Sequence, residues 1–380
     1  MARKLASIVE IKSCEPIPDT DRLSVATMQG KGWQVVVGRD EFHSGQIAIY
    51  LEIDSFCPAN DERYEFLRDR CLRKFVSKSG QVVYEGIRIK TIKLRGVVSQ
   101  GLLMPIDKFP EVTDNIVWND DKQSDEWIDG SYPIGKDVTD LLHIEHYDEV
   151  KERLQPAMGN PISADAMGPF PTGIIPKTDE ERIQNLAYWF EQMKQRTWEV
   201  TVKADGTSCT VAWCPSYDQV NPNIVCSRNL RLKQTDASVY WQMAKKYKIL
   251  ESARDYFEKT TDEIAFQGEI VGPGIQKDRN KENEHTFKCF RIWDISHSRW
   301  FHPDKARKIC EGYGIPYVEV LHTKFRFFGE IKTMDDALKF AEGKTAEGNE
   351  REGVVLKTDD YSEFASFKIV SNKYLLKGED

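Results

Sequence analysis

The chain has 380 residues, 40% hydrophobic and 30% charged, with 53 Lys and Arg against 61 Asp and Glu. That length favours two buried cores over one, and no apolar run is long enough to span a bilayer. A formal charge of −8 excludes indiscriminate coating of DNA, so any nucleic-acid contact has to be a local basic patch.

The eight cysteines, among them Cys14, Cys57, Cys71, Cys209 and Cys214, form no C-x-x-C pair and have no histidine at zinc spacing, which reads as reduced core thiols. The opening Met1-Ala2-Arg3-Lys4 runs into an alternating strand pattern rather than an apolar signal core. A cytoplasmic or nuclear address is expected, with no membrane and no obligate protein partner.

From Ser7 to about Pro105 the pattern is β-rich. Ile8-Val9-Glu10-Ile11, Leu23 to Thr27, Gln34 to Val37 and Gln46 to Tyr50 are short strands broken by Gly and Pro, which suggests a small barrel. Between 107 and 175 the pattern weakens. Acidic stretches such as Asn119-Asp120-Asp121 and the Pro/Gly-rich run from Gly168 to Gly173 read as a connector with local structure. Thr178-Asp179-Glu180-Glu181 has the form of a capping box opening a helix with apolar positions Ile183, Leu186, Ala187 and Phe190, so a second domain is predicted over 176–380. Lys245, Lys246 and Lys248 are either a basic patch or a solvated helix face.

The alternation in Trp198-Glu199-Val200-Thr201-Val202-Lys203-Ala204-Asp205-Gly206 predicts a strand with Val200, Val202 and Ala204 inward and Thr201, Lys203 and Asp205 on the other face. Asp205-Gly206 ends it in a turn. Lys-x-Asp-Gly is the nucleophile motif of covalent nucleotidyltransferases, which include polynucleotide ligases and mRNA capping enzymes. Alone it arises by chance in roughly one chain in ten of this length. Its company decides. Cys226-Ser227-Arg228-Asn229, Phe266 to Gly272 around Glu269, Phe290-Arg291-Ile292-Trp293-Asp294, Glu352-Gly353-Val354-Val355-Leu356-Lys357 and Ser366-Phe367-Lys368-Ile369-Val370 follow in the order that ligases keep. Taken singly, Trp293 reads as core, Arg228 as a surface ion-pair partner, Glu269 and Glu352 as polar strand residues and Lys368 as an edge charge.

The ordered set resembles the ligase branch. The resemblance implies Lys203 as the residue bonded to AMP, Arg228 on the ribose, Trp293 stacked on adenine, Lys357 and Lys368 on phosphate, and Arg182 as either a phosphate contact or a helix-surface arginine. Asp205, Glu269 and Glu352 are the implied metal carboxylates. At an ordinary pKa of about 10.4 fewer than one lysine in a thousand is neutral at pH 7, and carboxylates alone push that value higher. A divalent cation reverses the local sign, and hard oxygen ligands point to Mg²⁺ or Mn²⁺ beside ATP.

Pro18 to Leu23, Gly32 to Gly38 and Leu94-Arg95-Gly96-Val97-Val98-Ser99-Gln100-Gly101 resemble OB-type tRNA-binding modules. An N-terminal OB-like module (1–106) ahead of an adenylyltransferase domain resembles the Deinococcus-type clade of ATP-dependent RNA ligases. DNA ligases and capping enzymes usually place an OB domain after the catalytic core, whereas only about a dozen residues follow Lys368. The expected fold is α+β: an OB-like β-barrel, then a ligase-type domain of antiparallel sheets with flanking helices. The implied partner is nicked or broken RNA, including RNA paired with DNA, and a preferred RNA 3′-hydroxyl. A GTP-dependent capping-type guanylyltransferase and a nonenzymatic RNA-binding protein with a decayed ligase domain are the alternatives. Two departures from the ligase pattern stand out: Val370 replaces a common second lysine, and Thr201-Val202 replaces an acidic residue before the nucleophile.

Overall fold

Along Leu23–Met28 and Gln34–Gly38 every second residue is buried and its neighbours are partly exposed, the period-2 signature of strands with one face on a core. With Ala6–Pro16, Ile47–Leu51 and Leu102–Pro105 they form a five-stranded antiparallel sheet. It curls over Val9, Ala26, Trp33, Val35 and Tyr50 on one side and Ile8, Ile49, Leu51 and Met104 on the other. Gln34 Nε2 donates to the Val98 carbonyl at 2.7 Å and the Val36 amide to Ser99 Oγ at 2.9 Å, tying the edge strand Gln34–Gly38 to the hairpin Thr91–Leu94 and Val97–Gln100. A second antiparallel sheet runs in the order Glu145–His146, Ser55–Pro58, Val82–Arg88, Leu72–Val76; its last three strands come from the segment between the fourth and fifth barrel strands, and Glu145–His146 from beyond the fifth.

The structure is a computed structural model describing all residues except 1–3, 117–132, 156, 159–164, 276–282, 328–329, 359–364 and 378–380. Two compact units result, Met1–Ile162 and Ser163–Asp380. The stretch read from sequence as a connector over 107–175 is divided between them. Phe109, Val112, Val138, Leu142 and Ile144 are buried in the first unit's core. The strand Ala166–Pro169 pairs with Leu230–Leu232, and Phe170 and Ile175 are buried beside Cys214 and Cys226. Isolated apolar residues in a polar stretch carry no period, so this contribution is invisible locally. Asn119, Asp120 and Asp121 lie outside the described residues. Among the described residues no helix is long and apolar enough to cross a membrane.

The second unit is two sheets. The larger is antiparallel, in the order Ala166–Pro169, Leu230–Leu232, Asn223–Cys226, Thr207–Trp213, Ile264–Val271, Thr286–Asp294, Arg299–Trp300. Helices Val239–Lys246, Ile249–Thr260 and Pro303–Tyr313 cover one face through Trp241, Ala244, Ile249, Ala253 and Cys310. The smaller runs Glu181–Arg182, Ser366–Val370, Gly353–Thr358, Trp198–Val202, Val320–Phe325. Phe190–Gln195 and Met334–Ala341 pack on it through Met193, Ala337 and Leu338 around Trp198, Val354 and Phe367.

The capping box does not form where the sequence places one. Glu181 and Arg182 pair parallel with Phe367 and Lys368, and Glu181 accepts hydrogen bonds from the Arg182 amide and Asn185 Nδ2. A 3₁₀ turn over Ile183–Trp189 then leads into Phe190–Gln195. An unpaired sheet edge outweighs the local helix signal.

Candidate active site

All five residues of Trp198–Val202 are buried, because both faces of this strand are covered. Trp198 and Val200 face the apolar core; Thr201 and Val202 reach the wall of a cavity of about 250 Å³ between the two sheets. The smaller sheet gives it Lys203, Val355, Lys357 and Lys368, and the larger gives Thr207, Ser208, Glu269 and Phe290. Lys203 follows the strand's last residue, and its amide donates to the Gly353 carbonyl at 3.0 Å.

The glycines beside the charged residues have a packing reason. A Cβ on Gly206 would sit 2.2 Å from the Ile270 carbonyl, and one on Gly353 would sit 2.1 Å from the Ile369 carbonyl. Any side chain there would force the two sheets, or the neighbouring strands, apart.

Lys203 Nζ lies 2.6 Å from Glu352 Oε2. Burial works to lower the amine's pKa, but Glu352, then Glu269 and Asp205, outweigh it and hold Lys203 above the ordinary lysine value. Glu269 is displaced the other way: burial pushes its carboxyl up to about 8, with Glu352 and Asp205 adding to the rise and Lys203 opposing it. Around Lys203 itself three carboxylates gather, a local excess of negative charge that a bound cation would relieve.

The three carboxylates are not drawn into one cage. Glu352 is engaged by Lys203, and Asp205 accepts a short hydrogen bond from Tyr374. Among the described residues, only Asp262, Asp294 and His297 bring three ligand atoms within 4.8 Å of one another; Arg299 and His297 already bond Asp294. The expectation of a ready three-carboxylate ligand set therefore changes. The donors suit a hard divalent ion that keeps most of its water, with Glu269 at the cavity wall and the other two carboxylates nearby.

This gives a prediction. Between the unfolded carboxyl value of 4.5 and the folded value of about 8, the folded chain binds a proton at Glu269 that the unfolded chain does not. Stability of the metal-free protein should therefore fall as pH rises through that window. Melting temperatures across pH 5 to 8 should show the decline, and Glu269→Gln should flatten it. An equally steep decline in the variant would remove Glu269 as its source.

Lys357 is 2% exposed. Its Nζ donates to the Phe290 carbonyl at 2.6 Å and lies 3.4 Å from Glu199 Oε1. Glu199, fully buried, also takes Arg307 Nε at 2.7 Å and the Tyr317 hydroxyl at 3.1 Å. Burial lowers the Lys357 pKa, Glu199 opposes that, and Arg291 adds to it. Lys368 is likewise lowered by burial, against Asp179 and with help from Arg182 and Lys203. Its Nζ contacts Asp179 at 3.1 Å, while Arg228 reaches the same carboxylate at 3.6 Å. Arg228 is at the cavity wall. Arg182 is not; it is buried beside Lys368 in the parallel pair.

Trp293 is a second sequence-predicted site residue that lies away from the cavity wall. Its indole donates to the Ile174 carbonyl at 2.9 Å and its ring meets Trp300 at 4.7 Å. The aromatic at the cavity wall is Phe290. The pairing of Ile264–Val271 with Thr286–Asp294 shifts register between Gln267 and Gly268, which oppose Arg291 and Cys289 and leave Phe290 as the extra residue. The bulge adds Phe290 to the face that Arg291 shares with Gln267 and Glu269, whereas Trp293, opposite Ala265 on that same face, lies farther along the strand, and no local pattern announces the bulge. Sequence reasoning also missed Glu199 and Tyr317. An acid inside an apolar strand was the available signal for Glu199. Lys245 and Lys246 are paired with Asp236 and Glu284, which favours the solvated-face reading of that lysine cluster.

The RNA ligase family model matches residues 196–375, and a model described as an OB-fold domain matches 5–106. A Naegleria gruberi RNA ligase mutant solved with ATP and manganese is 31% identical, with full coverage of both chains and a TM-score of 0.80. The chain belongs to the RNA ligase family. A second mutant of that Naegleria ligase, solved with AMP and manganese, is 30% identical over the whole of both chains at a TM-score of 0.79. A third, also with AMP and manganese, is 31% identical over 98% of each chain at 0.78. No curated protein sequence matches the chain. This RNA ligase is an enzyme with the expected α+β fold, an OB-fold module followed by a ligase domain of antiparallel sheets.

Proposed function

We propose that this RNA ligase uses ATP to seal a 5′-phosphate to a 3′-hydroxyl at nicks in RNA, with a preference for an RNA 3′ end, as a member of the Deinococcus-type clade. The observation that carries the reading is Lys203, 2.6 Å from Glu352, at the wall of a cavity that also presents Glu269, Lys357 and Lys368. In step one the Lys203 amine attacks the α-phosphorus of ATP; a P–N bond forms, the bond to the bridging oxygen breaks and pyrophosphate leaves. Lys203 must first lose its proton to solvent, a loss that a cation bound by the neighbouring carboxylates would favour. In step two a 5′-phosphate oxygen displaces Lys203 from phosphorus, and in step three the 3′-hydroxyl oxygen attacks the 5′-phosphorus and expels AMP.

Each step builds negative charge on phosphate oxygens, and Lys357 and Lys368 are the lysines at the cavity wall that would meet it. Magnesium or manganese near Glu269, supplied with ATP, would screen the triphosphate and offset the carboxylates that keep Lys203 protonated. One lysine thus divides the condensation into successive transfers that reuse the same groups.

Incubation with α-labelled ATP and GTP tests the nucleotide. Label from ATP alone is expected, and label from GTP alone would favour a capping-type enzyme. Matched nicks differing only in an RNA or DNA 3′ terminus test the end preference. Faster sealing of the RNA end is expected, and equal rates would overturn the clade assignment.

A further inference from the structure

Asp205 sits where no strand holds it. Trp198–Val202 belongs to the smaller sheet and Thr207–Trp213 to the larger, and Lys203 to Gly206 is the irregular crossing between them. Among the described residues the one hydrogen bond to the Asp205 carboxylate is the short one donated by the Tyr374 hydroxyl, from 169 residues further along the chain. Tyr374 lies on the helix Asn372–Lys377, just after the strand that carries Lys368. Ser371, buried at the head of that helix, donates its amide to the Glu352 carbonyl at 2.8 Å, and its hydroxyl accepts the Tyr374 amide at 3.3 Å. Ser371 and Tyr374 therefore join the main chain of one carboxylate residue beside Lys203 to the side chain of another.

The helix is also held from outside, by Lys373 to Glu342 at 2.6 Å and Lys377 to Glu350 at 2.5 Å, exposed pairs that add little. Holding it down does not call for a hydroxyl, since a phenyl ring packs as well. A hydroxyl donating to a carboxylate does something more specific: it fixes which way that carboxylate points. It does so without cancelling the charge, because the tyrosine is neutral. It engages Oδ2, and Oδ1 accepts no hydrogen bond among the described residues. A lysine or arginine in its place would compete with a bound cation, as Lys203 already does for Glu352 at 2.6 Å.

We infer that Tyr374 is a positioning residue for the ligase reaction: its hydroxyl aims Asp205 so that the open carboxylate oxygen serves a hydrated divalent cation beside Lys203. The inference rests on the reading of Asp205 as a metal carboxylate of the ligase site. A residue that orients a metal carboxylate governs affinity for the ion while touching neither the ion nor the nucleotide.

The test is a double-mutant cycle in the full chain: the parent, Tyr374→Phe, Asp205→Asn and the two together. Manganese binding is titrated by electron paramagnetic resonance of the free ion, on the unmodified chain and on its lysine–AMP form, with a melting temperature for each variant. Tyr374→Phe should weaken manganese binding about tenfold or more, the usual scale for removing a group that orients a metal ligand. In the Asp205→Asn background the same change should add nothing, because the hydroxyl acts through that carboxylate. The manganese concentration for half-maximal adenylylation should rise in step, while the rate at saturating manganese changes less. A lowered melting temperature with unchanged manganese affinity would make Tyr374 a structural tie and overturn the proposal. Losses that add across the cycle, or a parent chain that binds no manganese, would overturn it too. If the parent bound manganese but formed no lysine–AMP, the ligase reading would fall, while the cycle on the unmodified chain would still decide the part of Tyr374.

Discussion

Lys203→Ala abolishes the protein–AMP adduct, and Lys203→Arg abolishes it equally. The expected loss in labelling rate is on the order of a thousandfold or more, the scale seen when a nucleophile is removed. Arginine keeps the positive charge and the ion pair with Glu352, 2.6 Å away in the parent chain, so Lys203→Arg separates loss of the nucleophile from loss of the ion pair. A guanidinium stays protonated at any working pH and has no lone pair to offer phosphorus. The pH profile adds a second readout. Glu352, Glu269 and Asp205 hold the Lys203 pKa above the ordinary lysine value despite burial, so the neutral amine becomes abundant only above that range. Divalent cation should move the rising limb of adenylylation to lower pH. Adduct formation by Lys203→Arg, detected by mass on any peptide, would remove Lys203 from the mechanism.

The largest expected loss of stability is at Glu199. Replacing it with leucine leaves Lys357 and Arg307 without the buried carboxylate that both contact, at 3.4 and 2.7 Å. Breaking a buried pair by removing one partner costs about 3–5 kcal/mol, because the remaining charge stays desolvated. For a unit of this size that is a fall of roughly 10 °C in melting temperature. Lys357→Met should cost less, since Glu199 keeps Arg307 and Tyr317. Adding Lys357→Met to Glu199→Leu should restore part of the loss, and thermal unfolding of the three variants measures it. An unshifted midpoint in Glu199→Leu would contradict the assignment of this carboxylate as the anchor of Lys357.

The Lys357 anchor also bears on phosphate recognition. Its Nζ is held by the Phe290 carbonyl and Glu199, so it acts as a fixed charge with its position set before nucleotide arrives. Lys368 is different: its partner is the mostly exposed carboxylate of Asp179, which an incoming phosphate can displace at little cost.

The sequence by itself determined the two-part organisation, the OB-like strands and the chain of motifs from Lys203 to Lys368. Strand alternation and close-approach glycines such as Gly206 and Gly353 are local constraints that composition must satisfy. Only the tertiary structure decided which side chains share the cavity. Phe290 is the aromatic there because the bulge adds it to the cavity face beside Glu269, while Trp293 sits farther along the same face against Ile174 and Trp300. Glu181 and Arg182 form a sheet edge, not a helix start, because a parallel partner exists far along the chain at Phe367 and Lys368. Residues 107–175 divide between two cores because their few apolar side chains find partners far away in sequence. Facing, register and burial depend on non-local pairing, which no window of sequence contains. Lys203 stands out by its motif; the carboxylates that raise its pKa acquire that role only through their placement around it.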